Sequence, residues 1–173
     1  FRSVYTGTRA DHKRALCDED MKKVFTRLPS SSAIPLAVRR AQDMFVLMFL
    51  LRGLPFVDLA YLRKSDLRDN VIIYRRRKTG RPLSVTLTPE ALELLKKYMN
   101  RDSHSPYLFS LLKSGEGTQE AYREYQLALR SFNQQLTLLG EVLGLNDKLS
   151  SYTARHTWAT TAYYCEIHPG IIS

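Results

Sequence analysis

The sequence predicts a mainly helical domain carrying one small antiparallel β-hairpin sheet, an α+β class. Three observations lead there. Apolar residues recur at helical spacing in several separate stretches. Two β-branched runs, 71–74 and 83–87, flank a basic segment that contains Gly80. Finally, 173 residues at 44% hydrophobic and 25% charged, with no internal repeat and no dividing linker, suit a single domain over residues 1–173.

Each element has a local reason. Asp18 is expected to cap a helix reaching Leu28, with Met21, Val24, Phe25 and Leu28 on one face. A second helix is expected from Leu36 to Arg52; it is apolar almost all round after Met44, so it belongs at the centre of the core. Gly53 breaks it, and Pro55 suits the first turn of a short helix bearing Phe56, Val57, Leu59, Ala60 and Leu62. Asp69-Asn70 signals a turn before the first strand, and Gly80 supplies the positive φ that a hairpin commonly needs. Thr88-Pro89-Glu90 combines a cap, a first-turn proline and an acid, a strong helix start. The segment 100–117, rich in Ser, Gly and Asp, reads as a loop. Thr118 then opens a long amphipathic helix to about Gly140, with Tyr122, Tyr125, Leu129, Phe132 and Leu136 at core spacing. A last helix is expected from about Thr153 through Tyr164.

Charge is the compositional outlier. Lys and Arg number 26 against 17 Asp and Glu, a formal net charge of +9. Residues 1–27 hold seven positive and four negative groups, whereas residues 63–81 hold eight positive and two negative. Two thirds of the excess therefore lies in about a ninth of the chain, centred on Arg75, Arg76, Arg77, Lys78 and Arg81. Consecutive cations repel one another, so such a patch points to a polyanion, a nucleic acid or an anionic membrane surface, and a phosphate partner is preferred. The plainer alternative is a solvated basic hairpin that protects a sheet edge.

Other classes lack support. Cys17 and Cys165 are too few for a disulfide framework, form no Cys-x-x-Cys pair, and read as small buried hydrophobes. The longest apolar run, Met44 to Leu51, is far shorter than the roughly 20 residues of a membrane span. No Walker loop, His-Glu-x-x-His or dinucleotide glycine fingerprint occurs, so neither metal nor cofactor is expected. His12, His104 and His168 read as surface or loop residues.

The segment Tyr152-Thr153-Ala154-Arg155-His156-Thr157-Trp158-Ala159-Thr160 resembles the second-arginine box of the tyrosine recombinases, the phage-integrase family. That box reads His-x-x-Arg-His-Thr, then an aromatic residue, Ala, and Thr or Ser. The hairpin with Lys78-Thr79-Gly80 resembles the family's β-hairpin lysine. Gly53-Leu54-Pro55-Phe56-Val57-Asp58-Leu59 resembles its first-arginine region, Gly-Leu-Arg-x-x-Glu-Leu. The three boxes stand in the family's order, and Tyr152 in the histidine's place is similar to a divergent branch of bacterial mobile-element integrases.

The resemblance implies a tyrosine-recombinase catalytic-domain fold and site-specific DNA cutting and rejoining without metal or ATP, through a 3′-phosphotyrosyl intermediate. It gives Arg155 the role of phosphate ligand, Lys78 that of proton donor to the leaving oxygen, and Tyr152 that of hydrogen-bond donor to the phosphate; Tyr152 reads equally as a packed aromatic. Pro55 stands where the first arginine belongs. Arg52, three residues earlier, either reaches the same phosphate or caps the carbonyls of the core helix. His156 contacts phosphate or buttresses Arg155. The family's Leu-Gly-His box and nucleophilic tyrosine are expected further beyond Arg155 than the eighteen residues that follow, and its N-terminal core-binding domain is not recognised. The chain is accordingly expected to be a catalytic-domain fragment that does not cleave by itself. A homotetramer on paired DNA sites, accessory DNA-bending proteins, and a bacterial cytoplasmic, nucleoid-associated location are further implications. Two other readings stay open: a non-catalytic DNA-binding or regulatory module that keeps the fold, and a basic metal-independent nuclease.

Overall fold

The computed structural model describes residues 15–28 and 34–165. Among the described residues there are six α-helices and a three-stranded sheet: α1 Asp18–Phe25, α2 Leu36–Leu50, α3 Phe56–Tyr61, β1 Leu67–Arg68, β2 Val71–Arg75, β3 Pro82–Thr86, α4 Pro89–Tyr98, α5 Gln119–Leu143 and α6 Ser151–Tyr164. The mainly helical α+β class is as the sequence predicts.

The apolar run after Met44 makes α2 the centre. Phe45, Leu47 and Met48 are fully buried, and α1, α4, α5 and α6 all pack on this helix. Phe56 of α3 stacks on Phe132 of α5 with ring centroids 4.8 Å apart, which fixes the short helix against the long one. Few polar groups enter this core, and those that do are bonded. Gln42 of α2 donates from Nε2 to the carbonyls of Val24 and Thr26 at 2.8 and 2.9 Å, satisfying the frayed end of α1. Asp43 accepts from Tyr98 Oη at 2.5 Å and from Lys97 Nζ at 2.7 Å, clamping the end of α4.

The strands run antiparallel in the order β1-β2-β3, with Arg75 opposite Pro82 at the turn end of the β2-β3 hairpin. Gly80 adopts φ +67° there, as its place in the turn requires. The two-residue β1 is absent from the sequence reading because nothing in Leu67-Arg68 marks a strand; its pairing with β2 across the Asp69-Asn70 turn creates it. Asp69 takes the left-handed conformation, φ +53°.

Several boundaries differ from expectation. Cys17, not Asp18, holds the N-cap position of α1, and the helix ends at Phe25 rather than Leu28. Pro55 is likewise the N-cap of α3 instead of its first residue. The core helix stops at Leu50, leaving Arg52 outside it. Tyr122 is exposed while Phe132 and Leu136 are buried, because in the first turn of α5 it is Ala121 that faces the core. Both cysteines are exposed, since each flanks a helix end at the surface. His12 and His168 lie outside the described residues.

Candidate functional site

The site forms where the turn after α2, the short helix α3, the start of the hairpin turn and helix α6 converge. Helix α6 is anchored before it presents anything. Ser150 N–H donates to Thr153 Oγ1 at 3.1 Å, and Ser151 N–H donates to Asn133 Oδ1 of α5 at 2.8 Å. Lower down, Leu16 N–H donates to the buried Thr157 Oγ1 at 3.0 Å. On the opposite side Gly53, at φ +66°, lets the turn approach the helix. A Cβ there would stand 3.0 Å from Arg155 Cα and 3.2 Å from Trp158 Cβ. This close approach allows Arg155 Nη1 to donate to the Gly53 carbonyl at 3.2 Å.

Asp58 is the electrostatic centre. It lies on the buried face of α3, 4% exposed. Its Oδ1 accepts the Arg77 backbone N–H at 3.0 Å, and its Oδ2 lies 3.8 Å from Arg76 Nε. Burial pushes its pKa up, against the lowering effects of the Arg77 amide and of Arg76, Arg77 and Arg155. Burial also pushes the Arg155 guanidinium down, and the charge of Arg76 is the next cause. The Tyr74 hydroxyl is driven up by the same burial and by Asp58, so it stays protonated at neutral pH. One carboxylate thus faces two guanidiniums and a phenol in a partly dry niche.

The cations predicted from sequence divide into three groups. Arg155 and Arg76 meet at Asp58, with the Arg76 side chain only 12% exposed. On the same helix Tyr152 packs against His156, ring centroids 4.8 Å apart, and its hydroxyl is within electrostatic reach of Arg155. Arg77 is tied down on the outer face. Its guanidinium lies 3.8 Å over the Tyr61 ring and bonds Glu116, which also binds Arg63. Lys78, Arg75 and Arg81 stay exposed at the tip, where Arg75 Nη1 donates to the Gly80 carbonyl at 3.2 Å. Arg52 is also exposed and sits at φ +59° in the turn; it neither caps the core helix nor contacts Arg155.

Sequence reasoning missed Asp58, Tyr74 and Glu116. A signal existed for the first: Asp58 is the one charge in the otherwise apolar Phe56–Tyr61 segment, on the face where Leu59 and Leu62 point inward. Tyr74 and Glu116 carried none, because a strand tyrosine and a loop glutamate are ordinary in isolation. Among the described residues no three His, Cys, Asp or Glu side chains group as metal ligands would, and no helix is long and apolar enough to cross a membrane.

Comparison with known proteins matches residues 14–168 to the model of the phage integrase family. Among solved structures the chain is similar to XerA recombinase, with a TM-score of 0.60 and 20% identity over 91% of this chain and 53% of that one. It is also similar to lambda integrase (residues 75–356) bound to DNA, with a TM-score of 0.55 and 17% identity, covering 92% of this chain and 54% of that one. The lambda integrase catalytic core aligns at a TM-score of 0.53 and 17% identity, over 87% of this chain and 84% of that one. Against the first two, the chain spans about half the length of the structures it matches. No curated protein matches it.

Proposed function

The chain belongs to the phage integrase family, and we propose that it is the part of a tyrosine recombinase that grips the phosphate to be cut in double-stranded DNA. The observation that carries this reading is Arg155: a half-buried guanidinium, anchored on the Gly53 carbonyl beside Asp58, at the foot of a strongly basic hairpin. A guanidinium fork neutralises two phosphate oxygens at once, and partial burial strengthens it there.

In the proposed reaction of the whole protein a tyrosine oxygen attacks phosphorus, the P–O5′ bond breaks, and the 5′ oxygen leaves with a proton. The products are a 3′-phosphotyrosyl link and a 5′-hydroxyl, and reversal from a second strand rejoins DNA. Arg155 stabilises the charge on the equatorial oxygens. Lys78, exposed in the hairpin turn, supplies the proton to the 5′ oxygen. Tyr152 donates a hydrogen bond to the phosphate and His156 supports it through their ring contact. Arg75 and Arg81 hold the neighbouring backbone. Tyr163 and Tyr164 are exposed on α6, but eight and nine residues along a helix place them about 12 Å or more from Arg155. Neither is the nucleophile in this reading, and the 173-residue chain alone is expected to form no covalent adduct with DNA. Four copies acting on two paired sites, with accessory DNA-bending proteins, in the cytoplasm of a bacterium, complete the proposal.

Fluorescence anisotropy with a labelled duplex of about 30 bp tests the binding half. If three tip cations engage phosphates, the affinity falls with a log–log salt slope of about −2.7, or about 40-fold between 50 and 200 mM salt. A slope near zero, or one unchanged by Arg75→Glu with Lys78→Glu, overturns it. The chemical half is tested with the product of the complete gene on a nicked duplex that traps covalent intermediates. A second reading, a DNA-binding module without chemistry, draws on Pro55 in the first box and Tyr152 in the second. Absence of any trapped adduct supports it.

A further inference from the structure

The groove between α3 and the outer face of the sheet carries charges that the site at Arg155 does not use. Three arginines line it, Arg63, Arg75 and Arg77, with three acids, Asp58, Asp66 and Glu116. Two of the acids are committed to backbone: Asp58 accepts the Arg77 N–H at 3.0 Å, and Asp66 accepts the Arg63 N–H at 2.8 Å. Glu116 is different. Its two carboxylate oxygens are divided between two guanidiniums, one taking Arg63 and the other Arg77.

The two sides of this bridge are not held alike. Arg77 is fixed from behind by its N–H on Asp58, and its guanidinium lies 3.8 Å over the Tyr61 ring. That ring packs in turn against Tyr107 and Tyr125, with centroids 6.3 and 6.1 Å away. Arg63 is paired through its backbone with Tyr107. Glu116, by contrast, stands on a Gly-Glu-Gly loop whose ends are tied. Before it, Ser114 N–H donates to Glu124 at 3.1 Å; after it, the Thr118 hydroxyl donates to the Gly115 carbonyl at 2.7 Å. A Cβ added at Gly115 or Gly117 would meet nothing within 4 Å, so neither glycine is packed on the body. The three bridging side chains are a third to a half exposed, a setting in which ion pairs are weak. The arginines are built in, and the carboxylate is the exchangeable part.

The bridge also describes what can replace it. A phosphodiester, like a carboxylate, spreads one negative charge over two oxygens, and guanidinium forks bind either group. Without Glu116 the groove holds three arginines against two acids, a surplus of one charge for one phosphate. We propose that Arg63 and Arg77 form a separate binding site for a backbone phosphate of duplex DNA, that Glu116 fills this site in the unbound chain, and that the phosphate displaces it on binding. The proposal rests on the reading of this chain as a domain that grips DNA. Both guanidiniums stay paired before and after the exchange, and duplex affinity is held below what the arginines alone would give.

The test measures Kd for a labelled duplex by fluorescence anisotropy in a double-mutant cycle on the 173-residue chain. Glu116→Gln is expected to tighten binding about fivefold, and Arg63→Gln with Arg77→Gln to weaken it about tenfold. Once both arginines are gone, Glu116→Gln should change the Kd by less than about twofold. In the ¹⁵N-labelled unaltered chain, the arginine Nε–Hε signals of Arg63 and Arg77 and the amides of Gly115 and Gly117 should all move as duplex is added. The amide signal of position 77, bonded to Asp58, checks that each variant keeps the local fold; where it is disturbed, Arg63→Gln alone completes the cycle. A fivefold gain that persists without the arginines is a general charge effect and overturns the proposal. Signals of Arg63 and Arg77 that stay still while Arg155 responds to duplex overturn it too. Either result leaves the reading of Arg155 standing. If no signal of the chain responds to duplex, that broader reading falls and this one with it.

Discussion

The body side and the outer side of the hairpin turn are built from the same residue types and behave oppositely. On the body side Arg76 is drawn in by Asp58, its side chain 12% exposed. On the outer side Arg75, Lys78 and Arg81 stand exposed, and Arg77 is exposed too although it lies over Tyr61 and bonds Glu116. A cation on the body side is desolvated, so its interactions are strong and its removal is structural as well as functional. A cation on the outer side is hydrated and screened, so it adds salt-dependent attraction while costing the fold little. Four consecutive positive residues therefore divide into one buried arginine and an exposed set.

The sharpest way to break this contrast is at Asp58. Asp58→Ala leaves Arg76 and Arg155 facing each other unopposed and should lose about 3 kcal/mol in urea unfolding. Asp58→Asn keeps an acceptor for the Arg77 amide and should lose less. The pH dependence separates the body side of the turn from its outer side. Asp58 binds its proton more tightly folded than unfolded, so its contribution is greatest at acid pH. It is lost as pH rises from its ordinary 3.8 through the raised folded value. Glu116 is the reverse: Arg63 and then Arg77 hold it below its ordinary 4.5, so its stabilisation exists above that value and disappears as pH falls through the folded one. Urea midpoints between pH 3 and 7 should lose the first trend in Asp58→Asn and the second in Glu116→Gln.

Next in size is the seam that joins the turn after α2 to α6. Gly53→Ala forces a Cβ against Arg155 Cα and a left-handed φ on alanine, and about 2 kcal/mol of stability should go with it. Retention of the wild-type midpoint would mean that the seam yields more easily than its geometry suggests. At the tip, Arg75→Glu with Lys78→Glu should leave stability within about 0.5 kcal/mol while weakening duplex binding about tenfold at low salt. A stability loss there would erase the distinction between the two sides of the turn. The smallest effect belongs to Arg52. Arg52→Gly relieves a positive φ of 59° at an exposed position and should raise stability by up to about 1 kcal/mol, read as a small rise in the urea midpoint.

Much of this architecture was legible beforehand. The apolar run of α2, the Thr88-Pro89 start of α4, where Thr88 Oγ1 accepts from Ala91 N–H at 3.3 Å, and the Gly80 turn all follow from local rules. So does the Thr118 cap of α5, whose Oγ1 accepts from Ala121 N–H at 3.1 Å. The errors fell at helix ends, where one residue's backbone angle decides the boundary: Leu51 and Arg52 leave the helix although their side chains would continue it. The cysteines were misjudged for a related reason, since both flank helix ends that tertiary packing leaves outside.

The sequence by itself determined that a helical domain with a basic hairpin exists and that Arg155 stands in a segment resembling the family's second-arginine box, because residue order and composition are properties of the chain. Only the tertiary structure decided which cations share a carboxylate. Asp58, Arg76 and Arg155 are separated by 18 and 79 positions, and no periodicity relates them. The physical reason is that desolvation is a property of the assembled niche: these arginines are partly withdrawn from water only when Gly53, α3 and the hairpin turn close round them.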